Sequence, residues 1–353
     1  MRSAIDPWRF AHFFTVVMAR SNTQALLFLP LLIAVCLQGC TSNPPAPAAA
    51  PALQIHDVAD VAIVDRFNGK EAKDALAALG TLGGRLLTRT GVQLLGAESN
   101  LLLDFDLEGT RSEPLVVTHL HGVADGVKLG GLAATSDGRS WTMHGRTDLA
   151  RITAQGEVNT AEHLPFSAYA VYSWKGTLLV QVARSRAGES PFMGRTGDEK
   201  WQSVGLLKTR EHASNRESLL WNTAHCGASR ADRLPCWFLL GEPSVVLVDD
   251  HGIWTRCPLV LPAGTGGQVS GAGNTYPVSF RDLFVSGQSE VIALADTGAG
   301  HEHRGRFLGR YSLDGTLLAR VHLNRSARQV LDVRRGKAIL LLRGDSVGEV
   351  TLP

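Results

Sequence analysis

From about residue 55 onward the apolar residues come in runs of five to eight, separated by turns that contain glycine and aspartate. Runs of that length between such turns predict β-strands. Four stretches share one hairpin layout: AYAVYSWKGTLLVQVA (168–183), SVVLVDDHGIWTRCPL (244–259), FLGRYSLDGTLLARVHL (307–323) and QVLDVRRGKAILLLRG (329–344). Each has a glycine at its turn (Gly176, Gly252, Gly315 or Gly336), where a tight hairpin needs positive φ. One segment has helical character, KEAKDALAALG (70–80), with good helix formers and Gly80 as its C-cap. Strands do not alternate with helices, which argues against a parallel α/β fold. The run GTGGQVSGAG (264–273) lacks the spacing of a phosphate-binding loop and predicts a flexible loop. The pattern over 56–353 predicts a single all-β domain, with 56–110 a poor fit to a regular repeat because of the helix.

The first 55 residues follow a different pattern. ALLFLPLLIAVCL (25–37) is an apolar run too short and too early for a comfortable membrane span. It ends in Leu37-Gln38-Gly39-Cys40, which resembles the bacterial lipobox. That resemblance implies that 1–39 is a signal peptide and that the Cys40 thiol carries a diacylglycerol. Several acyl chains together would then anchor the chain firmly. A plain secretory signal or an uncleaved anchor is the alternative. After Cys40, TSNPPAPAAAPA (41–52) cannot build a core, so 40–55 is expected to be an extended tether. Thr41 in place of Asp resembles the outer-membrane sorting pattern, which implies a periplasm-facing lipoprotein. Initiation at Met18 would give the leader normal proportions, and Met18 is the expected start.

Charge narrows the partners. The leader holds Arg2, Arg9 and Arg20 against Asp6; removing them from 35 basic and 33 acidic residues leaves 32 of each. A balanced chain has no footprint for phosphate backbones, so nucleic acid is not an expected partner. The expected partners are the membrane, through the lipid, and a protein. Besides Cys36 and Cys40 the chain has Cys226, Cys236 and Cys257. In an oxidising compartment one disulfide is expected, with one thiol left over. The short loop favours Cys226–Cys236, with Cys236–Cys257 as the alternative.

Thr135-Ser136-Asp137-Gly138-Arg139-Ser140-Trp141 resembles the Asp box of sialidase-type β-propellers, in a form one residue short. In that family Asp and Ser/Thr side chains bond the turn backbone and the Trp packs between blades. The residues themselves suit that role, by Asx-turn chemistry and an aromatic staple. Two weaker echoes are Thr196, Asp198 and Trp201, without the glycine, and Asp250, Gly252 and Trp254, with Ile253 where Thr or Ser is usual. The resemblance implies a β-propeller, and about 300 residues at roughly 40–50 per four-stranded blade give six or seven blades. A β-sandwich with ordinary Asp-Gly turns is the alternative.

Catalytic signatures are weak. The Arg-Ile-Pro motif of sialidases is absent, and no G-x-S-x-G elbow occurs. His119 and His121 alternate on one strand face, as do His301 and His303; convergence of the four would make a metal site, but surface histidines are the default. Asp104 and Asp106 alternate in the same way and read as a solvated face. Trp174, Trp201 and Arg195 near turns could line a binding face, though core packing is the usual fate of such tryptophans. No cofactor is expected. The chain reads as a non-enzymatic protein-binding lipoprotein, either an envelope scaffold or an immunity protein against a type VI toxin. A sialidase-like protein that binds or cleaves glycans is the alternative.

Overall fold

The structure is a computed structural model. It describes residues 56–174, 177–183, 192–196, 199–204, 224–230, 233–238, 244–249, 254–259, 269–271, 274–276, 280–287, 290–296 and 306–353. The chain begins with β1 (His56–Val61), β2 (Val64–Phe67) and the helix α1 (Lys70–Leu79). Among the described residues, every regular element after the helix is a β-strand.

The described strands fall into six units. The first is the antiparallel meander β3 (Leu82–Leu87), β4 (Gly91–Gly96), β5 (Leu101–Asp106) and β6 (Leu115–His119). The second is β7 (Leu129–Ala134), β8 (Ser140–His144), β9 (Asp148–Ile152) and β10 (Val158–His163). The third is β11 (Ala168–Trp174), β12 (Thr177–Val182), β13 (Phe192–Thr196) and β14 (Gln202–Ser203). The fourth combines β15 (Ala224–Cys226) with β17 (Leu234–Phe238), β18 (Ser244–Val248) and β19 (Trp254–Pro258), while β16 (Ala228–Ser229) joins a neighbouring sheet. After the small hairpin β20 (Val269–Gly271) and β21 (Asn274–Tyr276), the fifth unit is β22 (Phe280–Val285), β23 (Val291–Ala295), β24 (Phe307–Tyr311) and β25 (Leu317–Leu323). The sixth is β26 (Ala327–Arg334), β27 (Lys337–Leu342) and β28 (Ser346–Thr351), and its fourth strand is β2 from the other end of the domain. That borrowed strand ties the two ends of the domain together. β1 runs parallel to β25 as an extra outer strand.

Six apolar cores lie between these units, each joining one blade to the next. Leu95 and Leu120 of the first meet Leu129, Leu132 and Ile152 of the second. Trp141 and Met143 of the second meet Val171 and Val180 of the third. Trp174 and Phe192 then meet Cys236 and Val246; Trp237 and Val245 meet Leu283 and Phe307; Phe284 and Leu308 meet Val330 and Leu340. Leu331 and Leu341 of the last blade pack on Val92 and Leu103 of the first. Among the described residues the sequence of cores returns to its start, so these six units form a closed, β-propeller-like ring. A sandwich would have one core between two sheets.

The ring explains the hydrophobic pattern. An antiparallel strand with one wet face alternates, as β25 does, but a blade clamped between two neighbours is buried on both faces. Hence VIALA in β23 and the run after Lys337 in β27 are continuously apolar. The helix is accommodated too. Ala72, Leu76 and Leu79, at helical spacing, cover the core between the last and first blades, and Gly80 at φ 65° ends α1. The 56–110 segment therefore supplies the closing strand, a helical cover and most of a regular blade. The loop expected at 264–273 contains strand β20.

Candidate functional site

The innermost strands are drawn together at the axis by glycine. Leu82-Gly83-Gly84 in β3 and Leu129-Gly130-Gly131 in β7 repeat one motif. A Cβ on Gly84 would lie 2.4 Å from the carbonyl carbon of Gly131, and one on Gly131 would lie 2.2 Å from the Val171 carbonyl oxygen in β11. Backbone therefore meets backbone across three successive blades. The repeated Leu-Gly-Gly is legible in the sequence and lies outside the four hairpin stretches.

The next residue of β3 forms an ion pair. Arg85 of β3 donates from Nη1 and Nη2 to Asp282 of β22 at 2.6 and 3.2 Å, with side-chain exposures of 7% and 2%. Asp282 also accepts from the Val330 and Leu283 amides at 2.9 and 3.0 Å, and Arg85 donates to the Val330 carbonyl. Beside it is a cavity of about 110 Å³ lined by Tyr172, Trp174, Leu132 and Ala228. Burial pushes the Tyr172 phenol up to about 12, and its hydroxyl donates to Gln181 at 3.2 Å. Burial also holds His225 below its ordinary value, against the opposing pull of Asp282.

The pairing continues toward the end of the ring that carries the turns after the innermost strands. Asp332 of β26 is fully buried and takes a bidentate grip from Arg230, at 2.7 and 2.9 Å, together with Arg334. Arg334 donates at 2.7 Å to Glu108, which Arg335 also holds at 2.9 Å. The hydrogen bond from Arg334 leads in holding the Glu108 carboxyl below the usual carboxylate range. These groups open into a cavity of about 360 Å³ that Arg89, Arg310 and Glu290 complete.

The residues singled out in the sequence are scattered. Cys226 and Cys236 are directly opposed on β15 and β17 and form a disulfide. Cys257 is a buried free thiol in the core on the opposite face of that blade, so the alternative Cys236–Cys257 pair is not formed. Around Asp137, Thr135 donates to the carboxylate at 2.5 Å, as does the Arg139 amide at 3.2 Å, and the Trp141 indole donates to Thr135 at 3.1 Å. Gly138 has φ +79°, and Trp141 is 5% exposed between the second and third blades. Ser140 begins β8. Ser312-Leu313-Asp314-Gly315-Thr316 repeats this turn: Ser312 and the Thr316 amide both donate to Asp314.

Trp201 packs on the same core as Trp141 and donates to Glu162 at 2.8 Å; Arg195 binds Glu162 at 2.5 Å and stacks over the Trp201 ring. Trp174 is buried. These aromatics are blade-to-blade packing. His119 and His121 are both exposed, on either side of the buried Leu120. Asp106 is not solvated: it is buried and accepts from Thr110 and from the Glu108 and Arg111 amides. Of the remaining calls, Trp254 lies in β19, while Asp198, Asp250, Gly252, His301, His303 and Cys40 lie outside the described residues. Among the described residues no group of three or more His, Cys, Asp or Glu could hold a metal ion, and no helix is long and apolar enough to cross a membrane.

No protein-family model and no curated protein matches the sequence. Solved structures do resemble the fold. Regucalcin from Agrobacterium tumefaciens, a calcium-binding protein, aligns at a TM-score of 0.50 and 11% identity over 84% of this chain and 96% of its own. A luciferin-regenerating enzyme aligns at 0.49 and 11% identity, covering 78% and 93%. A virginiamycin B lyase from Staphylococcus aureus aligns at 0.45 and 11%, covering 82% and 98%. The likeness at this identity is one of fold, the β-propeller.

Proposed function

We propose that this chain is a lipid-anchored propeller of the bacterial envelope that acts as a non-enzymatic protein-binding module, an envelope scaffold or an immunity protein against a periplasmic toxin. The lipobox-like Leu37-Gln38-Gly39-Cys40 and the Pro/Ala-rich segment after it support the anchor. One observation supports binding over catalysis. The carboxylates at the axis and its mouth (Asp282, Asp332, Glu108 and Glu290) are each engaged by arginine. A general acid or base needs an oxygen free to reach the substrate's proton, and these carboxylates are turned onto guanidinium groups instead. Rigid blades with paired interiors suit a surface that is recognised without reacting.

The test is affinity capture from membranes with the full chain tagged at its C-terminus. One stoichiometric protein that survives a salt wash supports the reading. No protein above background, with saturable turnover of a fluorogenic glycoside, would replace it with the glycan reading. Palmitate-analogue labelling lost in Cys40→Ala checks the anchor independently.

A further inference from the structure

We propose that the arginine-lined mouth is a binding site for a phosphate-bearing ligand. Arg310 is set aside, because Glu290 and the Pro353 carbonyl engage its guanidinium. Arg89, Arg230, Arg334 and Arg335 remain against Asp332 and Glu108, four positive charges against two negative. The excess of two matches the charge of a phosphomonoester near neutral pH. A carboxylate would neutralise half of it.

Unused donors point the same way. Arg230 engages Asp332 and the Thr88 carbonyl through Nε and Nη2, which leaves both N–H groups of Nη1. Arg335 lines the cavity, is 84% exposed and gives one Nη2 hydrogen bond to Glu108, so it keeps further donors for a ligand. Arg89, exposed at the β3–β4 turn, engages no described residue. Arg89 can offer a two-nitrogen edge to a phosphate, by the bidentate geometry that arginine provides and lysine does not, while Arg230 and Arg335 add further N–H donors for its other oxygens. Asp332 and Glu108 hold Arg230 and Arg334 in place before a ligand arrives, which lowers the ordering cost of binding. The cavity of about 360 Å³ has room for the group that carries the phosphate.

The phosphate could belong to a soluble metabolite or to a lipid headgroup. β1 starts near the same end of the ring: His56 pairs with Ala319, just beyond the turn between the third and fourth strands of its blade. Turns one–two and three–four of a meander lie at one end. The site itself does not depend on the anchor or on a protein partner.

Calorimetric titration of the full chain in detergent decides it, with four probes: inorganic phosphate, soluble dihexanoyl phosphatidic acid (a phosphomonoester lipid), its phosphatidylcholine counterpart, and acetate. Saturable binding of phosphate or phosphatidic acid, weakened about tenfold or more by Arg89→Glu or Arg335→Glu and partly by Arg335→Lys, is the expected result. The tighter of the two names the source. Thermal melts of these exposed-site variants confirm that they fold. The proposal is overturned if neither phosphate ligand binds at about 10 mM, if acetate binds as well as phosphate, or if the glutamate variants bind unchanged.

Discussion

Arg85 and Asp282, 197 positions apart in the chain, form a two-pronged ion pair that links the first blade to the fifth. Because Asp282 also receives the Val330 amide, three blades meet at one carboxylate. Removing one partner leaves the other charge buried and unpaired. Arg85→Ala is expected to cost about 3–5 kcal/mol in urea unfolding. A loss below about 1 kcal/mol would show that the pair behaves as a surface contact.

Two glycines with positive φ separate backbone strain from steric closure. Gly138, at φ +79°, has nothing within 4 Å of where a Cβ would stand, whereas a Cβ on Gly131, at φ +74°, would overlap β11. Gly138→Ala should cost about 1 kcal/mol, from φ alone. Gly131→Ala should cost several times more and force the second and third blades apart. Equal losses in thermal melts would refute the close approach at the axis.

The cysteines should differ sharply in chemistry. Burial leads in raising the Cys257 thiol to about 11, and the nearby Asp314 adds to it. At pH 8 it should stay unlabelled by a maleimide in the native state and react on unfolding. Cys226→Ser with Cys236→Ser opens a short loop and should lower stability by about 2–3 kcal/mol.

Acid should expose the turn and mouth carboxylates. Asp137 and Asp314 are lowered chiefly by hydrogen bonds from Thr135 and Ser312, and Glu108 by the one from Arg334. A depressed folded-state value stabilises the fold above the unfolded pKa and loses that contribution as protons bind. Stability should therefore be nearly level from about pH 7 to 5 and fall below about pH 4. Asp137→Asn with Asp314→Asn should flatten that fall.

Much of the propeller was legible in one dimension because its rules are local. Apolar runs between glycine turns marked the strands in all four hairpins, and the 70–80 helix ended at Gly80 as its composition implied. The short spacing of Cys226 and Cys236 favoured the bond that forms. What the pattern could not carry was adjacency between distant segments. β2 completes a blade whose other strands begin more than 250 residues later, so nothing near it announces its partner. The blade number depended on six cores closing into a ring, and a run such as VIALA is equally apolar in a sandwich. The arginines of the mouth, Arg89, Arg230 and Arg335, are unremarkable in sequence because they come from three blades and converge only when the innermost strands do. Hydrophobic periodicity and turn chemistry thus determined the strands and their hairpins. Which charges share the axis was decided by tertiary closure, since Coulomb attraction and desolvation act through space.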